Sequence, residues 1–275
     1  INYTVENIPS IDARHLRLSF KQVNPDIDMQ QHFEEVRSLF AGHGVSVVLV
    51  NSDEISQDFD LVVAMGGDGT ALRALDEFPI TPVLAINFGT IGFLTAGDRN
   101  DLVQIVDLLI AGEYSISERL VLNCRYPKGQ VFAVNEVMIR AGSKLVFTDV
   151  FVDEAEIRTI TGDGVIVGTP TGSTGHLLST GAPIVLPDVR CMILDGVNEY
   201  NFSSRALILP PEASIRLQIS KKTRDENVSL MADGVNLCQL SIGTEIFIEQ
   251  AEHRARLVYL DDGYFFRNLS SKLSW

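Results

Sequence analysis

Residues Gly66-Gly67-Asp68-Gly69-Thr70 could carry chemistry. Glycines at 66, 67 and 69 allow backbone angles and close approaches that side chains forbid. The ionisable group in this turn is the Asp68 carboxylate. The turn follows the apolar run Leu61–Met65 and precedes the helix-forming stretch Ala71-Leu72-Arg73-Ala74-Leu75. At the carboxyl end of a parallel strand, such a turn sits where α/β sheets bind ligands, and the new helix offers free N–H groups to a phosphate. It lacks the Gly-Lys-Ser/Thr of a Walker A loop and the spacing of a GxGxxG fingerprint. On the motif alone, a tight turn with Asp68 as helix N-cap reads equally well.

A second candidate is Thr169-Pro170-Thr171-Gly172-Ser173-Thr174-Gly175-His176, followed by Leu177-Leu178-Ser179. Its hydroxyls and N–H groups suit ribose and phosphate oxygens, although an ordinary serine–threonine turn capping a short helix has the same composition. Asn135-Glu136, inside the apolar stretch Val131–Ile139, offers an amide beside a carboxylate. That pair can read a purine edge or a ribose, or can simply face solvent from an edge strand. Asp163-Gly164 and Asp233-Gly234 both have the form of hairpin turns, and for Asp233 the hairpin is the reading adopted.

The elements that must position these residues change character along the chain. Leu16–Phe20 alternates apolar and polar residues as a short strand does. Met29, Phe33, Val36 and Phe40 repeat at helical spacing, with Gly42 able to close that helix. Val45–Val50, Leu61–Met65 and Val83–Asn87 read as buried strands, and Leu102, Ile105, Val106, Leu109 and Ile110 form a helical stripe that Asp98 or Asn100 could cap. Strands alternating with helices predict a doubly wound parallel sheet. Beyond Gly112, Val131–Ile139, Lys144–Val152, Val165–Gly168, Ile215–Ser220, Val228–Met231, Glu245–Ile248 and Arg256–Tyr259 read as strands between turn residues, which predicts an antiparallel β-rich domain. Phe265, Leu269 and Leu273 then recur every four residues, so a terminal amphipathic helix is expected. The expected division is an α/β domain over 1–114 with 262–275 and a β-rich domain over 115–261.

Composition narrows the function classes. The chain has 275 residues, 45% apolar and 21% charged, which suits a globular core. Asp and Glu total 36 against 22 Lys and Arg, a formal charge of −14, so it lacks the electrostatic footprint of a nucleic-acid or anionic-membrane binder. Cys124, Cys191 and Cys238 are three in number and form no CxxC, which predicts reduced thiols and a cytoplasmic location. No signal-peptide pattern opens the given residues and no apolar run reaches the length of a membrane span; beginning at Ile1, the sequence reads as trimmed. The five histidines are scattered, with no HExxH and no Cys/His cluster, so no protein metal cage is expected.

Taken together, these residues resemble the NAD kinase family. The resemblance rests on GGDG at Gly66–Gly69, Asn135-Glu136, Gly162-Asp163-Gly164, TPTGST at Thr169–Thr174, Ser179 and Gly181-Ala182-Pro183-Ile184. It extends through Ile86–Leu94, Arg205 with Leu207 and Leu209-Pro210, and the closing Phe265–Leu269 and Lys272–Trp275. GGDG alone is shared with lipid kinases and phosphofructokinases; the three motifs in this order are far more specific. The resemblance implies an α/β domain followed by a β-rich domain, with the terminal helix returning to the first. It implies transfer of the terminal phosphate of ATP to the 2′-hydroxyl of the adenosine ribose of NAD, with Mg²⁺ or another divalent cation carried mainly by the nucleotide phosphates. Asp68 would face that hydroxyl with Gly69 beside it, and Asn135 and Glu136 would hold the nucleotide. Asp163 and the stretch Thr174, Gly175, His176 to Ser179 would line the same cleft, Arg73 would contact the dinucleotide, and the chain would form a homo-oligomer, a dimer or tetramer.

Several positions depart from the family pattern. Gly175-His176 stands where Ala-Tyr is usual, and the smaller imidazole replaces a ring that would pack on the nucleotide. Thr161 occupies a frequent arginine position, Asn198–Phe202 replaces a Pro-His segment, and Val235 follows Asp233-Gly234 where glutamine is common. Two other readings compete: a lipid kinase of the diacylglycerol or sphingosine type using the same GGDG logic, and a non-catalytic NAD(P)-binding regulator. TPTGST opposes the first. A carboxylate retained at the acceptor hydroxyl opposes the second, because binding alone does not require it.

Overall fold

The computed structural model describes residues 16–19, 29–50, 59–89, 92–201 and 204–273. The chain divides into two compact units, Ile1–Glu118 with Ala255–Trp275, and Arg119–Arg254.

The first unit contains β1 (Leu16–Ser19), α1 (Met29–Gly42), β2 (Val47–Val50), β3 (Leu61–Gly66), α2 (Asp68–Glu77), β4 (Val83–Asn87), β5 (Gly97–Asp98), α3 (Leu102–Ala111) and β6 (Ser115–Arg119). Its sheet order is β2-β1-β3-β4, continued by β19 (Ala255–Tyr259) and β6, with β5 beside β4. β1 runs parallel to β2 and β3, and β4 parallel to β3, β5 and β19. In β3, Leu61, Val63 and Met65 pack with Phe33, Val36 and Phe40 of α1 and with Leu102, Ile105 and Val106 of α3. The intervening Val62 and Ala64 are also fully buried. Side chains alternate across a strand, so both faces of β3 are covered, as a doubly wound sheet requires. α1 turns off at Gly44, whose φ of 78° favours glycine, and not at Gly42, its last helical residue. Asp98 caps the 3₁₀ turn Arg99–Asp101 that leads into α3. Phe20 lies outside the described residues.

The second unit comprises β7 (Leu122–Tyr126), β8 (Gly129–Ala133), β9 (Glu136–Arg140), β10 (Val146–Val152), β11 (Ala155–Gly162), β12 (Gly164–Gly168), β13 (Met192–Val197), β14 (Leu207–Leu209), β15 (Ile215–Ile219), β16 (Ser229–Ala232), β17 (Val235–Gln239) and β18 (Glu245–Gln250). They form two six-stranded sheets, β11-β10-β15-β18-β7-β8 and β14-β13-β12-β9-β16-β17, antiparallel throughout. Their inner faces share one core, including Leu122, Val137, Ile139, Val150, Val165, Val167, Leu217 and Ile248. On the other face of the second sheet, Met138, Ile166 and Ile193 pack with Leu177 and Ala182. That contact seats the segment after TPTGST.

Two expectations need correction. Val131–Ile139 is not one strand: β8 and β9 belong to different sheets, and the chain crosses between them at Val134-Asn135. Arg256–Tyr259 is not part of the β-rich unit, because β19 pairs in parallel with β4. Apolar periodicity alone does not reveal which sheet a short strand joins. The unit boundaries therefore fall at 118/119 and 254/255, where the sequence suggested 114/115 and 261/262. The terminal helix, α4 (Tyr264–Leu273), belongs to the first unit and buries Leu269.

Candidate functional site

In the first unit, β3 and β4 end side by side, with Gly66 opposite Asn87. A Cβ on Gly66 would overlap the Thr70 side chain, so a larger residue cannot make this turn. Gly67 is the N-cap of α2, and no side chain caps that helix. The N-cap role considered for Asp68 is thus excluded. Asp68 occupies the first helical turn and aims its carboxylate at a neighbouring loop. Its Oδ2 accepts from the Phe93 N–H at 2.8 Å and its Oδ1 from the Leu94 N–H at 2.9 Å. Each oxygen keeps a further lone pair. Gly69 is exposed, with open space around it. Arg73, half-buried, lies one turn further along the face of Gly69. At the end of β4, buried Asn87 ties down the next loop through Gly89 N–H and C=O and also bonds Asp98.

In the second unit, the crossing between β8 and β9 is held by Asp233. Its Oδ2 accepts from the Val134 N–H at 2.8 Å, and its Oδ1 from the N–H groups of Asn135 at 2.8 Å and Glu136 at 3.1 Å. Asp233 and Gly234 form the β16–β17 hairpin turn, with φ of 45° and 78°. The hairpin reading is correct, and the carboxylate has this additional task. The TPTGST segment bonds the same crossing: Thr169 N–H donates to the Asn135 carbonyl at 2.9 Å, and Thr169 Oγ1 to the Val134 carbonyl at 2.5 Å. A Cβ on Gly172 would overlap the Asn135 backbone. Ser173, fully buried, bonds Pro170 and Val185, and the deeply buried Arg119 donates to Thr171 Oγ1 at 3.2 Å.

This scaffold brings Asn135, Glu136 and Gly175 together. A Cβ on Gly175 would sit 3.6 Å from both Asn135 Nδ2 and Glu136 Oε2. Asn135 Oδ1 and Glu136 Oε2 are buried without a hydrogen-bond partner among the described residues. Unsatisfied buried acceptors are costly, and a bound ligand offering donors relieves that cost. Burial, and then the neighbouring Asp233 carboxylate, push the Glu136 carboxyl up to about 7. In its neutral form Glu136 is also a donor.

Thr171–Thr174 and His176–Thr180 are 3₁₀ turns in which Thr174 and Ser179 hydroxyls donate to the carbonyls three residues back. The serine–threonine turn is therefore present, with Ser179 exposed and His176 half-buried. Asp163 is not brought to this cluster. It sits before β12, while Glu136 pairs with Gly168 at the other end of that strand. Asp163 accepts instead from Asn198 Nδ2 at 2.8 Å. Sequence reasoning gave no positioning role to Asn87, Arg119 or the Asp233 carboxylate. An Asp-Gly hairpin announces itself in the sequence, but the partner of its carboxylate, about a hundred residues upstream, does not.

A Gly-rich turn at the carboxyl ends of parallel strands, in a chain that also carries an antiparallel two-sheet unit with a hydroxyl-rich turn, is an arrangement suited to holding a phosphorylated ligand. Residues 17–114 match the ATP-NAD kinase N-terminal domain and residues 134–260 the ATP-NAD kinase C-terminal domain. The chain is 36% identical to the NAD kinase of Citrifermentans bemidjiense over 234 residues, 82% of this chain and 81% of that protein. It is 32% identical to the NAD kinase of Wolinella succinogenes over 267 residues, 90% and 91% of the two chains. Among solved structures, it is similar to an NAD kinase from Archaeoglobus fulgidus in complex with ATP, with a TM-score of 0.76, 28% identity and coverage of 95% and 98%. It shares its fold with yeast NADH kinase complexed with NADH, with a TM-score of 0.82, 24% identity and coverage of 95% and 88%. The chain belongs to the ATP-NAD kinase family.

Proposed function

We propose that this protein transfers the terminal phosphate of ATP to the 2′-hydroxyl of the adenosine ribose of NAD, giving NADP and ADP. The reading is carried by the match to both domains of one kinase family, over 17–114 and 134–260. The structural details support a role for each half-site. Asn135 and Glu136 bind and orient the nucleotide through their open buried acceptors, on a base stiffened by Asp233 and Thr169. Thr174, Gly175, His176 and Ser179 add contacts to it. Gly69 leaves space beside Asp68 for the acceptor, and Arg73 meets the dinucleotide's negative charge. By the family resemblance Asp163 lines the same cleft, from the other end of β12 than the Asn135 cluster.

Phosphoryl transfer depends on positioning and charge neutralisation more than on a strong base. The ribose oxygen forms a bond to the γ-phosphorus as the bond to the β–γ bridging oxygen breaks, and ADP leaves. A carboxylate is too weak to ionise a sugar hydroxyl beforehand. Asp68 orients the hydroxyl and accepts its proton as the new P–O bond forms. Among the described residues no cluster of three His, Cys, Asp or Glu side chains could cage a metal. By the family resemblance Mg²⁺ would be carried mainly by the nucleotide phosphates, where it would neutralise their charge.

A cytoplasmic setting accords with three buried free thiols, and no helix among the described residues is long and apolar enough to cross a membrane. The net charge of −14 gives no support for a nucleic-acid partner. Family resemblance favours a dimer or tetramer. The test is NADP formation from NAD and ATP with Mg²⁺, with diacylglycerol offered as a competing acceptor. NADP is the expected product. NAD binding without turnover would leave the regulator reading, and lipid phosphorylation alone the lipid kinase.

A further inference from the structure

The first unit holds an arrangement that the proposed chemistry has not used. Asn268, on α4, donates through Nδ2 to the Phe93 carbonyl at 3.3 Å. That carbonyl and the Leu94 N–H belong to one peptide group, and the Leu94 N–H donates to Asp68 Oδ1 at 2.9 Å. Asn268 is thus joined to the Asp68 carboxylate through a single peptide. Hydrogen bonds in such a chain polarise one another: donation into the carbonyl strengthens the N–H on the other side. The same peptide segment is held at two further points. Lys272 Nζ lies 4.9 Å from the centroid of the Phe93 ring, and the buried Tyr259 hydroxyl reaches the Leu94 carbonyl at 3.5 Å. Tyr259 in turn stacks on Tyr264, the first residue of α4, with ring centroids 3.3 Å apart.

We propose that Asn268 is a positioning residue for phosphoryl transfer, fixing the aim and hydrogen bonding of the Asp68 carboxylate from the C-terminal helix. The proposal rests on the reading of Asp68 as the group that faces the acceptor hydroxyl. The geometry explains why a helix with no reacting group bears on the site: it sets the peptide that sets the carboxylate. Misplacement of a reacting group by about 1 Å can cost up to about a hundredfold in rate. Asn268 acts one peptide removed, so a loss of about tenfold is expected.

The experiment compares steady-state NADP formation by wild type, Asn268→Asp and Asp68→Asn, with NAD, ATP and Mg²⁺, alongside thermal melting. Asn268→Asp keeps the shape and replaces the donor by an acceptor facing a carbonyl. The expected result is a kcat about tenfold lower, KM for NAD and ATP within about twofold of wild type, and an unchanged melting temperature. Asn268→Ala, which introduces no charge, should show the same split and serves if the aspartate variant does not fold. A wild-type kcat for the Asn268 variants with an inactive Asp68→Asn would overturn the positioning role alone. A fall in kcat accompanied by a comparable rise in both KM values and a lowered melting temperature would overturn it in favour of a structural role. An Asp68→Asn variant with near wild-type turnover would overturn the reading of Asp68 itself.

Discussion

The Asp68 carboxylate occupies the space that Gly92 leaves open: a Cβ on residue 92 would overlap Asp68 Oδ1. The space that this carboxylate takes requires glycine at residue 92. The relationship keeps the Phe93 and Leu94 N–H groups within reach of both carboxylate oxygens.

Gly92→Ala should therefore displace the 92–94 loop or the carboxylate. Overpacking of this kind costs typically about 1–3 kcal/mol. The expected outcome is a drop in kcat of about a hundredfold, with ATP and NAD still bound by the folded protein. Steady-state kinetics with calorimetric binding checks this, and a wild-type kcat would show that the loop yields without consequence.

Asp233→Ala removes the acceptor for three backbone N–H groups at the Asn135 crossing. Each buried donor left unpaired costs about 1–3 kcal/mol. The variant should melt well below wild type, and its folded fraction should show an NAD KM raised about tenfold or more. An unchanged KM would mean that Asn135 and Glu136 need no such support.

Glu136 gives a pH signature. Its folded carboxyl is raised to about 7 from an ordinary 4.5, chiefly by burial. Between those values the folded state holds a proton that the unfolded state has released, so this group's contribution to stability falls as pH rises from about 4.5 and levels off above about 7. The shift corresponds to about 3 kcal/mol across that window. Glu136→Gln stays neutral and should flatten this part of the stability–pH curve, as measured by chemical denaturation at a series of pH values. Identical curves would place the Glu136 titration elsewhere.

How much of this was legible in the sequence depends on distance along the chain. α1, β3, β4 and α3 follow from periodicity, because their burial pattern is local: Phe33, Val36 and Phe40 share one helical face and are all buried. GGDG and TPTGST could be read as turns next to strands for the same reason. What periodicity could not supply was pairing. β19 looks like any short strand, and only its partner β4 assigns it to the α/β sheet. The break at Val134-Asn135 is set by Asp233, and the aim of Asp68 by Phe93 and Leu94. These are long-range hydrogen bonds that leave no local pattern. The family resemblance places Asp163 in one cleft with Asn135, and the register of β9 and β12 sets them at opposite ends of β12.

Gly175-His176, where an Ala-Tyr pair is usual for the family, is open to a substitution test. At Gly175 a Cβ would meet the Gly172 carbonyl oxygen at 3.3 Å, so alanine there requires the loop to yield by a few tenths of an ångström. His176→Tyr should tighten NAD binding by up to about tenfold, from an aromatic contact of about 0.5–1.5 kcal/mol. Gly175→Ala should leave folding intact. Equal NAD affinity for wild type, His176→Tyr and His176→Ala in calorimetric titrations would remove His176 from recognition.

The proposed role of Asp68 is to accept the proton of the ribose hydroxyl during transfer. The direct measurement is the rate of NADP formation by Asp68→Asn with saturating NAD, ATP and Mg²⁺, next to calorimetric binding of both nucleotides. The amide has one acceptor oxygen where the carboxylate has two, so one of the Phe93 and Leu94 N–H groups loses its partner; the binding control shows whether the nucleotide sites survive that change. General-base contributions are typically about a hundredfold or more. Retained binding with turnover reduced at least about a hundredfold is expected, and turnover near the wild-type rate would rule out Asp68 as the proton acceptor.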